Sequence, residues 1–153
     1  MEPHPKLKEH VINATMKILK IISVISFLFI EGIQLHGSLN FAILLLYLYQ
    51  FIHDILKFSQ SHDIFWEGSL AIPIIGTLIT LFFCKTYKDR YLLLFCFFVL
   101  LFAILILTGI TYPENHERIL SVGFIPALSI FIISSFWLII LNFKKPAIEN
   151  DKY

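Results

Sequence analysis

Between Tyr91 and Leu107 the chain reads YLLLFCFFVLLFAILIL, and after the tyrosine no side chain in that run is polar. In water such a run needs a deep core, and a deep core needs a polar shell. The shell is missing: of 153 residues, 58% are hydrophobic, 16 are Phe and only 15% are charged. A water-soluble domain of this length needs more polar residues to cover its surface. The apolar residues also come in long unbroken blocks, which points to helices that cross a membrane.

About five blocks approach the roughly 20 residues that a bilayer-spanning helix needs: Ile18–Leu35, Leu39–Phe58, Ile64–Cys84, Tyr91–Thr111 and Ile119–Phe143. Hydrocarbon offers the backbone no hydrogen-bond partner, so each block is expected to be a helix. A β-barrel would alternate apolar and polar residues in short strands, and these blocks do not. The expected fold is all-α, an integral membrane bundle of five transmembrane helices in residues 18–143. A polar, amphipathic lead, residues 1–17, precedes it. There Leu7, Val11, Ala14 and Ile18 share one helical face, as in a short interfacial helix. Residues 144–153 form a polar tail. Nothing at the N-terminus resembles a cleavable signal.

The connections are short. Gly37 suits the first turn, Asp63 is placed to cap the third span, and Pro113 is placed to stop the fourth. Pro73 and Pro126 fall about two turns into their blocks and are expected to kink them. The fourth span, wholly apolar, is expected to face lipid along much of its surface. The fifth carries Gly123, Ala127, Ser134 and Ser135, small residues that let another helix approach. Cys84 and Cys96 read as small apolar packing residues without a disulfide or metal spacing.

Five spans put the chain ends on opposite sides. The basic residues then divide evenly: Lys6, Lys8, Lys17, Lys20, Lys57 and Arg118 on the N-terminal side, six others on the far side. Orientation by the positive-inside rule is therefore undecided.

A net charge of +1 without a basic stripe excludes nucleic-acid binding. No H-E-x-x-H, Glu-x-x-His or G-x-S-x-G occurs, so no compact catalytic signature is present. Two polar groups remain. In the stretch IHDILKFSQSHDIFWEG, His53, Asp54, His62, Asp63 and Glu67 lie on the N-terminal side, and His116 joins them from a later turn. Imidazole and carboxylate together suit a divalent transition metal or acid–base chemistry. The same residues also read as a solvated, capped turn, with Asp54 paired to Lys57 along its helix. The second group is Glu31 with Gln34, near the far end of the first span. A carboxylate at that depth suits an ion or proton path, or pairs with Lys85, Lys88 or Arg90.

The expected function is that of a small polytopic membrane protein. It would act through helix–helix contacts, in a homo-oligomer or with another membrane subunit, or carry a small ion or lipophilic ligand. The alternatives are a membrane-embedded enzyme built on the His and carboxylate set, with metal as its cofactor, and an ion or proton path through Glu31. Membrane lipid is the expected environment.

Overall fold

No Gly or Pro interrupts the chain from Lys6 to Glu31, so a helix begun there meets no breaker. In the computed structural model, which describes residues 5–32, 38–57, 64–85, 88–110 and 123–144, this stretch is one unbroken helix, α1 (Pro5–Phe29). The interfacial lead and the first span are thus a single rod. Its span-like part is His10–Leu28, beginning before the expected Ile18. Four more helices follow: α2 (Asn40–Leu56), α3 (Ala71–Phe83), α4 (Arg90–Leu107) and α5 (Phe124–Phe143). A short 3-10 segment, Trp66–Leu70, leads directly into α3. The described residues contain no strand, only an isolated bridge between Glu31 and Leu39. There the Asn40 amide donates to the Ile30 carbonyl and the Gly32 amide to the Ser38 carbonyl, both at 2.9 Å.

The prolines start helices rather than kink them. Pro73 and Pro126 are each the third residue of their helix. At Pro126 no intrahelical acceptor awaits an N–H, so a proline costs little there, whereas the helix of Pro73 follows the 3-10 segment directly, where the chain changes from 3-10 to α. Their helices begin later in the sequence than the apolar blocks suggested. α4 likewise ends before Pro113: Gly109, with φ 70°, supplies the left-handed residue that closes it after Leu107.

His10–Leu28, Trp66–Phe83, Arg90–Leu107 and Phe124–Phe143 are long and apolar enough to cross a membrane; α2, with 17 residues, is shorter. α1 and α5 form the closest helix pair. At its centre Ser23 and Ser134 hydroxyls lie 2.9 Å apart and the Ser135 hydroxyl donates to Ser23 at 3.1 Å. These small side chains let the two backbones approach, and each hydroxyl finds a partner away from water. Phe131 packs beside them against Phe27 and Phe97. α4 lies against both α3 and α5. Seven of its 18 residues are buried, and Phe95, Phe98 and Phe102 leave one face exposed.

The pairing of helix ends departs from a five-span alternation. The Lys20 ammonium donates to the Cys84 carbonyl, so the middle of α1 lies beside the end of α3. The Arg90 guanidinium sits over the Tyr91 and Phe143 rings, joining the start of α4 to the end of α5. At the opposite end Glu31 meets Gly123, and Gly32 lies against the Leu107 carbonyl. The cause is α2. It packs mainly on the 3-10 segment, and the chain enters α3 from the end where α1 stopped. Four helices therefore alternate, and α1 begins at the end where α5 finishes.

Candidate functional site

Of the six residues expected to form a metal or acid–base set, His53, Asp54 and Glu67 are described; His62, Asp63 and His116 lie outside the described residues, as do Gln34, Gly37 and Pro113. His53 and Asp54 end α2. Their contact is long, Nδ1 to Oδ1 at 3.5 Å. Adjacent helical side chains diverge by about 100°, which keeps them apart. Asp54 turns instead to the next segment and accepts the Phe65 amide at 3.2 Å. It thereby ties the start of the next segment back to α2; the cap expected of Asp63 lies outside the described residues. The expected Asp54–Lys57 pair is not formed; the ion pair seen among the described residues is His53–Asp54. Glu67 is exposed on the 3-10 segment. No three His, Cys, Asp or Glu side chains among the described residues come together as a metal would require.

Glu31 sits at the bundle end opposite Lys85, Lys88 and Arg90, so none of them is its partner. Its carboxylate instead lies against Gly123, the residue that precedes α5. A carboxylate is favoured at the positive end of a helix, and the missing side chain at 123 gives it access. Gly123, expected to seat another helix, is thus occupied within the chain. Displacing this carboxylate has a definite expected result. Gly123→Val should lower stability by about 1 kcal/mol, Glu31→Gln by a similar amount, and the double variant no more than either. Thermal midpoints in detergent check this, and additive losses would show that the two residues act apart.

Next to Glu31, Asn40 is fully buried at the start of α2. Its Nδ2 donates to the Phe27 carbonyl at 3.1 Å, while its Oδ1 has no partner.

A concave feature lies elsewhere in the bundle. A cleft of about 770 Å³ opens between the middle of α1 and the end of α3. Met16, Ile21, Phe82 and Phe83 supply its apolar wall, and Lys17, Lys20, Lys85 and Lys88 its charge. Lys20 is 8% exposed, a buried cation whose ammonium reaches the Cys84 carbonyl at the end of α3. Exposed carbonyls at a helix C-terminus favour a cation. The nearest carboxylate, Asp89, accepts the Lys85 amide at 2.8 Å, and no ion pair joins the four lysines to a carboxylate among the described residues.

Sequence reasoning missed this cleft because it assigned Lys20 to the rim of a span beginning at Ile18. The signal was present. Lys20 stands inside KILKIISVISFLF, and an ionisable residue in such a run is a functional candidate by default. Cys84 and Cys96 are both buried and free, as their reading as packing residues anticipated. No known protein family, curated protein or solved structure matches the chain.

Proposed function

We propose that the protein is a multi-pass membrane protein that holds a lipophilic ligand in the cleft between α1 and α3. The cleft carries this reading: at about 770 Å³ it falls within the roughly 300–1,000 Å³ typical of small-molecule sites, and its wall is largely apolar. Four helices of spanning length and apolarity support the membrane setting. So does the outer face of α4, where Phe95, Phe98 and Phe102 follow one another at helical spacing and are each well exposed. A continuous aromatic stripe of that kind suits hydrocarbon far better than water. Tyr49 and Trp66 near one end, and Tyr91 and Trp137 toward the other, are exposed as in the aromatic belts of membrane proteins.

A four-span reading also supplies an orientation. Among the described residues, Lys17, Lys20, Lys85, Lys88, Arg90 and Lys144 belong to the end where α1 begins, and Lys57 to the other. The positive-inside rule then puts the lysine-rich end, and the cleft with it, on the cytoplasmic side.

The test is retention of ligand. Chain extracted gently from membranes should carry an extractable lipophilic compound at about one per chain. Ile21→Trp, which fills the cleft, should lower that retention at least about tenfold, whereas Ile25→Trp on the outer face of α1 should not. Protein that resists carbonate extraction yet carries no lipophile would defeat the proposal, as would equal retention by both variants.

A further inference from the structure

We infer that the α1–α3 cleft binds an anionic phospholipid, its phosphate held by Lys20 with Lys17, Lys85 and Lys88 and its acyl chains laid along Phe82 and Phe83. This deepens the proposed function, on whose membrane setting it rests.

The argument begins with Lys20. An ammonium group has three N–H donors. One is satisfied by the Cys84 carbonyl, and among the described residues no second acceptor engages it. A cation nine-tenths buried is costly unless its charge is met. A carbonyl dipole meets it in part, and an anion entering the cleft would complete it. The three exposed lysines around the same opening add charge of the same sign, and Asp89 offsets one unit of it. Among the described residues, four lysines against one carboxylate leave the opening positive. A small inorganic anion would use that charge but would leave the apolar wall unemployed. Phe82 and Phe83 at the edge of the cleft are both exposed, with Met16 and Ile21 opposite. Charge beside a hydrocarbon-compatible wall fits an amphiphile with a phosphate head. Basic pockets between helices on the cytoplasmic side are suited to lipid phosphate in general. The four-span orientation gives this cleft that side.

The experiment uses the full-length chain, delipidated in a neutral detergent and titrated with phosphatidylglycerol or phosphatidylcholine while bound lipid is counted by native mass spectrometry. Phosphatidylglycerol should bind at least about tenfold more tightly. Each lysine near a lipid phosphate contributes about fivefold, so the combined variant Lys17→Gln, Lys85→Gln, Lys88→Gln should erase the preference. These residues are exposed, and the variant should keep its native circular dichroism and thermal midpoint. At the buried position Lys20→Arg should keep the preference and Lys20→Gln lose it. Equal binding of the two lipids, unchanged in the triple variant, would overturn the anionic assignment while leaving a lipophilic cleft standing. Displacement of phosphatidylglycerol by millimolar inorganic phosphate would show an anion site without lipid selectivity and would also overturn it. Absence of any bound lipid, in protein that also fails the Ile21→Trp comparison, would remove the proposed function as well.

Discussion

Gly68→Val should loosen the contact between α2 and the 3-10 segment and cost the fold about 1–3 kcal/mol. A Cβ at Gly68 would lie 2.6 Å from the Tyr47 carbonyl oxygen and 2.9 Å from Phe51 Cβ. The first of these is backbone within a helix and has no rotamer by which to withdraw. The surroundings are aromatic and closely packed: Tyr47 meets Phe65 edge-on at 5.3 Å, and Phe51 packs on Trp66 at 6.3 Å. Adding carbon there separates both pairs together. This matters beyond stability, because the contact keeps α2 on the 3-10 segment and so sets which end of the bundle the chain enters α3 from. Gly76 is the matched comparison. It lies in α3 with nothing within 4 Å of its would-be Cβ. Gly76→Ala should therefore raise stability by about 0.5–1 kcal/mol through reduced backbone freedom. Thermal midpoints in one detergent read both. A valine at 68 that left the midpoint unchanged would mean that α2 does not rest on the 3-10 segment.

The helices were legible because hydrocarbon removes the alternatives: each long apolar block in the described residues is helical. Which helices are long enough to cross a membrane was less legible. α2 differs from a spanning helix by only a few residues, about 25 Å of rise against about 30 Å of hydrocarbon. That small difference decides whether the turn after α1 and the turn after α4 share an end. Counting α2 as a span paired Glu31 with Lys85, Lys88 or Arg90, which lie at the other end of the bundle. Burial was also hard to read. In a chain surrounded by lipid, an apolar side chain suits the core and the outside equally. The wholly apolar α4 does both: Leu93, Leu100 and Leu107 are buried, while Phe95, Phe98 and Phe102 are exposed. Serines were the better guide, since Ser23, Ser134 and Ser135 mark the α1–α5 contact. The site was legible in its residue types only. The His and Asp of the 52–68 stretch drew the eye because they repeat, yet Asp54 acts as the anchor of a turn. The lysines that gather at the cleft are scattered between positions 17 and 88, and only the return of α3 onto α1 brings them together.

Asn40 offers the second large effect, and the sharper test of whether the Glu31 end is dry. Asparagine and aspartate have nearly one shape, so Asn40→Asp changes chemistry alone. It removes the Nδ2 donor to the Phe27 carbonyl and sets a negative charge beside that oxygen, at a position with no exposure. Leaving a buried charge without a partner costs about 3–5 kcal/mol. Asn40→Leu keeps the volume and removes the unpartnered Oδ1 along with the donor, so it should cost only about 1 kcal/mol. At neutral pH the order of stability is then native, Leu, Asp. The aspartate variant should also acquire a pH dependence the others lack. Burial raises the carboxyl's folded pKa above its unfolded value, and its protonated form can donate to Phe27. Its stability is therefore greatest below about pH 3.9, the ordinary aspartate value, and falls as pH rises toward the folded pKa. Midpoints taken at pH 4 and pH 8 give the sign directly. An aspartate variant as stable as the native chain at pH 8 would mean that water or cations reach position 40, and the end of the bundle that holds Glu31 would then be a wet opening rather than a sealed one.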